Sequence, residues 1–283
     1  TIAERARVNA ARALTRWASP EAALALQDCL HGDGVLPVYA AIALARLRPP
    51  GSEAALSRRM RAPHRPHGAP RQACTAATWA LARLATPAAR EALVSTPVSE
   101  GKGPGPHPND WVQAAGLLRD PALLPLIERR IRDNRYARRT AAIALGLCGH
   151  PDAAPRLHDW LGDEDARVRT HAAIGLALLP VAFPRQARAP LEQPPPPRAA
   201  TFLREAFAAL NGLAAVRRLG AAVDPWAAAA ARRWAQAHRS ALDDMQACFL
   251  RRGTTISTED AWVWSLRDVC SEAASDPANT DGR

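Results

Sequence analysis

The sequence predicts an all-α chain built as an α-solenoid, in which antiparallel helix pairs stack one on the next. Three observations carry that expectation. A motif of small residues closing on leucine recurs every 28 to 37 residues, a short turn usually containing proline follows it, and the apolar content is mostly Ala and Leu. Hydrophobic residues make up 48% of the 283, yet aromatics only 5%, so the core must come from strong helix formers that allow close helix approach. No strand-like run of Val, Ile and Tyr competes with them.

The repeat is clearest from Arg135 to Leu179, where two Arg-rich runs each close on Ala-Ala-Ile and leucine, separated by the turns GHPD and GDED. Extending the marker leucine in both directions gives Leu14, Leu44, Leu81, Leu117, Leu145, Leu176 and Leu210, within the range of helical-hairpin repeats. The turn after the first five markers places proline at Pro20, Pro49, Pro87, Pro121 and Pro151. Proline suits the first turn of a following helix, where its missing N–H is needed by nothing. Each repeat is therefore expected to hold two helices, the first ending near its marker.

The pattern resembles HEAT repeats, in particular the short bacterial phycobilisome-lyase-like type. Asp165, Val168, Arg169, Ala172, Ala173 and Leu176 carry the resemblance, as do Arg138, Ala141, Ala142, Leu145, Gly146, Gly149, Pro151, Ala154, Pro155 and Leu157. It covers residues 1 to about 180, more loosely at the start, and its motifs specify a fold much more strongly than a function. It implies a right-handed superhelix of about six to seven repeats, with first helices on the convex face and second helices on the concave one.

Extra residues in a repeat have to enter at turns, and the uneven spacing locates them. The turns within repeats stay short, whereas three connections between repeats lengthen: 62–71 (APHRPHGAPR), 95–110 (STPVSEGKGPGPHPND) and 180–198, which ends in PPPP. Such segments are stiff and poor in hydrogen-bond donors. All three are expected on one edge of the solenoid, where connecting segments commonly carry function. Beyond Pro197 the repeat loosens. The expected organisation is a repeat solenoid over 1–220, a C-terminal helical cap over 221–275 with Ser257 capping its last helix, and a disordered tail over 276–283.

The formal charge of +10 points to nucleic acid or an acidic surface as partner. All the basic residues except Lys102 are arginines, however, a bias that a GC-rich genome produces unaided. Aligning the second helices on Leu30, Met60, Leu93, Ile131 and Leu161 places Asp28, Arg58, Glu91, Arg129 and Asp159 at one equivalent position. The sign alternates, so neighbouring repeats should pair charges there, each pair contributing roughly 0.2–1 kcal/mol. A groove following a polyanion would keep one sign. In the first helices Arg7, Arg138 and Arg169 share a register and are expected to pair with acidic residues such as Asp165 and with carbonyls of the previous repeat.

Catalytic patterns are not evident. No G-x-S-x-G elbow, phosphate-binding glycine loop or His-Glu pair occurs, and the five cysteines are scattered, as reduced buried thiols would be. Asp110-Trp111 and Asp159-Trp160 are the nearest counterparts to the Asp and Trp of HEAT-like DNA glycosylases, without a surrounding motif. The expectation is a non-catalytic, cytoplasmic bacterial scaffold or adaptor for a protein partner, with no cofactor, metal or membrane contact. Its expected binding residues are Arg58, Arg59, His64, His67, Lys102, His107, Trp111, Arg129, Arg130 and Trp160, because Arg and Trp often anchor interfaces. The competing class is a nucleic-acid binder, with or without base-repair chemistry.

Overall fold

The computed structural model describes residues 2–14, 19–32, 34–63, 69–99, 104–132 and 138–193, with 215, 219, 223–234 and 236–237. Among the described residues there are helices, turns and bends and no strand. The chain divides into two compact units, built on Thr1–Leu118 and on Arg119–Gly253.

In the first unit the helices are α1 (Ile2–Leu14), α2 (Pro20–Cys29), α3 (Leu36–Leu47), α4 (Ser52–Arg61), α5 (Ala69–Leu84), α6 (Pro87–Ser95) and α7 (Pro108–Leu118). The markers Leu14, Leu44, Leu81 and Leu117 all fall in first helices, as the spacing predicts. First helices pack in file, α3 on α1 and α5, and α5 on α7, while α4 packs on α2 and α6. In addition α2 packs on α3 and α4 on α5, so a second helix covers the first helix of the following pair. A helix sandwiched in this way keeps no polar face, and Pro37–Ala45 of α3 is buried without a break.

The second unit repeats the scheme with α8 (Leu124–Arg132), α9 (Arg138–Cys148), α10 (Ala154–Trp160), α11 (Ala166–Ala177) and the short α12 (Arg188–Glu192). Single 3-10 turns, Pro121–Leu123, Pro151–Ala153 and Arg185–Ala187, lead into α8, α10 and α12. Residues 225–234 are helical and rest on α11, with Trp234 edge-on to His171 at 5.3 Å. Trp226 lies between Phe183 and the Arg188 guanidinium, which sits 5.2 Å from the ring centroid. The marker Leu210, the Ser257 cap and the tail lie outside the described residues.

Four of the turns inside pairs share one construction, which the α3–α4 turn, with a left-handed Gly51 at its N-cap, and the α11–α12 turn lack. Ser19, Thr86 and Asp120 each accept a backbone N–H of the coming helix through a side-chain oxygen, at 3.1, 3.2 and 3.0 Å, with Pro20, Pro87 and Pro121 next in line. His150 does the same through Nδ1, taking the Asp152 N–H at 3.2 Å ahead of α10. Each such side chain satisfies one of the donors a helix start leaves open. The residue ending the preceding helix is left-handed at Arg48, Ala85, Arg119 and Gly149, with φ from 50° to 78°. Only at Gly149 does the residue type suit that conformation.

The tightest seam lies between α9 and α11. A Cβ on Gly146 would come within 2.5 Å of the Gly175 Cα, and one on Gly175 would collide with the Ala142 carbonyl oxygen and press on Leu157. Two backbones meet there, which no side chain permits. The mouth of the same pair is polar. Arg138 pairs with Asp163, and Arg139 donates through Nε to Asp165 Oδ2 at 2.6 Å. Arg169 Nη1 donates to the carbonyls of Asp163 and Glu164 at 2.7 and 3.0 Å, and Asp165 caps α11 by accepting the Arg167 N–H at 2.9 Å. Arg138 and Arg169 thus hold the turn before α11, a structural role as their register predicts, but with other partners than expected: Asp165 is taken by Arg139, and Arg169 bonds the carbonyls of the turn leading into its own helix.

Burial would raise the Asp165 carboxyl, but the Arg167 N–H and then the Arg139 guanidinium outweigh it and hold it below the usual aspartate value. A depressed folded-state value stabilises above the unfolded value of about 3.9, and that stability is lost as pH falls through the folded one. Melting followed by circular dichroism from pH 7 to pH 2 should therefore show part of the acid destabilisation vanish in Asp165→Asn, which keeps the cap but not the charge. Asp165→Ala should lose about 1 kcal/mol more than Asp165→Asn at neutral pH.

Gly175→Ala tests the seam. Helix propensity alone favours alanine by about 1 kcal/mol. The collision is with backbone, so the substitution should instead destabilise by about 1–3 kcal/mol in urea titration.

Candidate interaction surface

The two insertions of the first unit leave from bridged points. Arg61, the last residue of α4, donates from Nε to Thr96 Oγ1 at 2.9 Å and from Nη2 to Ser95 Oγ at 3.1 Å. The start of the 62–71 insertion is thereby tied to the start of the 95–110 insertion. The second insertion also closes on itself. The Ser99 N–H donates to the Pro106 carbonyl at 2.9 Å, and Gly105, at φ +103°, lies so near the Pro97 carbonyl that a Cβ has no room. Thr96, Gly105 and Pro106 are buried. The described part of this segment is therefore a built stem.

Behind the stem, polar side chains set the start of α7. The His107 carbonyl accepts the Trp111 N–H at 3.0 Å, and its ring Nδ1 accepts the Asn109 N–H at 3.2 Å. Asp110 is buried, accepts the Thr75 hydroxyl at 2.8 Å and lies 3.9 Å from Arg71 Nη2, which ties α7 to α5. Trp111 is 1% exposed, and its indole N–H donates to the Leu93 carbonyl at 2.8 Å.

These placements sort the residues expected to bind. Arg58 and Arg129 are exposed, and Arg59 and Arg130 are half-buried. Burial, and then the neighbouring Arg129 charge, push the Arg130 guanidinium below its ordinary value. Arg58, Arg59 and Arg61 all stand in the last turn of α4, where cations favour the helix dipole. Part of that basic cluster thus has a local structural reason. Trp111 and Trp160, the latter 7% exposed, are core residues and present no aromatic surface. His107 is a helix cap with a half-exposed ring. His64, His67 and Lys102 lie outside the described residues.

The expected charge pairing along the second helices does not form. Asp28, Arg58 and Glu91 of the first unit and Arg129 and Asp159 of the second are all exposed, and among the described residues none closes an ion pair with another of these in its own unit. Ion pairs instead form where burial fixes one partner, as at Arg138 and Asp163. Solvated long side chains gain little from pairing against the entropy they lose.

The chemistry available in the described residues is limited. Burial pushes the Cys74 thiol up to about 12 and the Cys148 thiol up to about 11, and raises Cys29 as well. Thiols held protonated are poor nucleophiles. Among the described residues no cluster of three or more His, Cys, Asp or Glu side chains is placed to hold a metal ion. Nor is any helix among them long and apolar enough to cross a membrane. Asp110 is committed to Thr75 beside a buried Trp111, while Asp159 is exposed beside a buried Trp160, so neither Asp-Trp pair presents a carboxylate flanked by an open indole face.

The family model for HEAT repeats matches residues 121–210. That segment includes α8 to α12, and with them the Gly146–Gly175 seam. The first unit and both its insertions lie outside the match. No curated protein matches the chain.

Several features here were not read from the sequence: the Arg61 bridge, the closed stem and the two histidine caps. The histidines had a signal, since His107-Pro108 and His150-Pro151 repeat the cap-proline order of Ser19-Pro20 and Thr86-Pro87. Arg61→Ala should lower stability by about 1 kcal/mol. Hydrogen exchange should show the Ser99 amide opening faster, while Leu145 and Leu176 in the second unit stay unchanged.

Proposed function

We propose that the protein is a non-catalytic scaffold or adaptor that holds a protein partner with an acidic surface at the insertion end of its first unit. The observation that carries this reading is the Arg61 bridge, which ties both insertions to one fixed base. Insertions that merely tolerate solvent have no need of a shared anchor or a closed stem. A loop presented on a fixed stem loses less freedom on binding than a floppy one. HEAT repeats commonly serve as protein-interaction scaffolds, and the match over 121–210 supports that class.

The finer parts of the proposal follow the periodicity of the sequence. Residues 1–220 form a right-handed solenoid of six to seven repeats of the bacterial phycobilisome-lyase-like type, 221–275 its cap and 276–283 a free tail. The exposed Arg58 and Arg129, with Arg59, Arg130, His64, His67, His107 and Lys102, supply the positive complement to the partner. A specific interface of this kind would bury on the order of 1,600 Å². A cytoplasmic assembly or secretion adaptor, or an immunity protein, fits this description.

The test replaces residues 98–106 with a short Gly-Ser linker, which leaves Trp111 and the cap at His107 in place. Capture of co-purifying protein should be lost while helicity is kept and the melting temperature falls only by the small amount that losing the Ser99–Pro106 stem costs. Retention of every partner would overturn the proposal. Affinity for generic duplex DNA that falls steeply with salt would replace it with nucleic-acid binding.

A further inference from the structure

Four helix ends meet at the roots of the two insertions in the first unit, and side-chain bonds join them in a closed ring. The Cys74 thiol of α5 donates to the Met60 carbonyl of α4 at 3.1 Å. The Thr75 hydroxyl, also of α5, donates to the Asp110 carboxylate of α7 at 2.8 Å, with Arg71 Nη2 at 3.9 Å from the same oxygen. The Trp111 indole of α7 donates to the Leu93 carbonyl of α6 at 2.8 Å. Arg61 of α4 closes the ring on Ser95 and Thr96 at the end of α6. We propose that this ring makes the two insertions one cooperative element, so that order a partner imposes on one insertion is passed to the other.

Burial holds the ring in one arrangement. Met60, Cys74, Leu93, Thr96, Asp110 and Trp111 are all buried, so these bonds do not exchange with water as those of exposed pairs do. The hydroxyl protons on the Arg61 side are already spent: Ser95 donates to the Glu91 carbonyl at 2.7 Å and Thr96 to the Ala92 carbonyl at 2.6 Å. A hydroxyl has one proton and two lone pairs, so both oxygens are left to accept from Arg61. Parting Trp111 from Leu93, or Thr75 from Asp110, strands a buried polar group. Groups linked in this way open together rather than singly.

Each side of the ring holds a different pair of roots. The Cys74–Met60 side spans the first insertion at its base, and the Trp111–Leu93 side spans the second. The Arg61 and Asp110 sides cross between the insertions, one joining their starts and the other their ends. Displacing either insertion at its root therefore strains both cross-links to the other. One cross-link alone would not do this, because an insertion tied to its neighbour at one end can still swing about that end.

The inference rests on the scaffold reading only for its use: a partner seated on one insertion finds the other already ordered, and less freedom is lost on binding. Hydrogen exchange on the full chain without any partner tests the coupling itself. Thr75→Val, which removes the donor to Asp110, should speed exchange of the Ala62 and Ser99 amides, across the ring, by at least about fivefold. Thr96→Val, which removes an acceptor from Arg61, should do the same to the Gln72 and Asn109 amides, because coupling is reciprocal. The double variant should open neither set much further than the single ones, since coupled contacts are not additive. The amide of Leu44, buried in α3, should keep its rate in all three. If circular dichroism shows that either variant does not fold, Ser95→Ala and Arg71→Gln, at less buried positions, cut the same two sides more mildly. Faster exchange confined to the amides beside each substitution, or an equal rise at Leu44, would overturn the proposal. A capture test that fails while these far-side shifts appear removes the adaptor reading and leaves the coupling standing.

Discussion

Helix backbones that come into direct contact, as α9 and α11 do at Gly146 and Gly175, impose a constraint on everything around them. At that distance the first helices of neighbouring pairs cannot separate without exposing Ile143, Leu145, Ile174 and Leu176, and cannot slide without driving Leu157 into a backbone. The first unit is rich in alanine as well: α3 packs on α5, and Ala40, Ala41, Ala43, Ala73, Ala76, Ala77 and Ala80 of the two helices are all buried. The low aromatic content follows from this geometry, since a large ring on such a seam would hold the helices apart.

A seam this tight leaves little room for variation, which is why variation collects where the chain turns. Four turns within pairs are held to a cap followed by proline, with different capping chemistries: a hydroxyl at Ser19 and Thr86, a carboxylate at Asp120, an imidazole at His150. Thr86 even joins the second helices, donating its hydroxyl to Glu53 on α4 at 2.9 Å. Between pairs the connections lengthen, and in the first unit the lengthened ones are anchored at Arg61 and along the Ser99–Pro106 stem. The regular helices thus serve as a rigid base, while the interruptions carry the surface chemistry that distinguishes this chain from any other stack of helix pairs.

Much of the helix scheme was legible in the sequence because it depends on period and residue size. The markers Leu44, Leu81, Leu145 and Leu176 are fully buried where the spacing places them. The surface was much less legible. Asp110 and Trp111 are consecutive letters, but consecutive helical positions point about 100° apart, and the two side chains serve α5 and α6 respectively. The charge alternation from Asp28 to Asp159 is real in the sequence, yet pairing also requires that burial or packing hold the side chains, which equivalence of position does not supply. Arg61 carries no local signal, because its partners lie 34 and 35 residues away across an insertion.

The proposal assigns partner recognition to the interruptions of the repeat in the first unit and none of it to the α9–α11 stack of the second. The most direct measurement is hydrogen exchange of the chain alone against the chain isolated with its bound protein. Slower exchange gained at 58–63 and 96–107, with α9 and α11 equally protected in both samples, is the result this account predicts. Protection gained only along α9 and α11, with 96–107 unchanged, would contradict it.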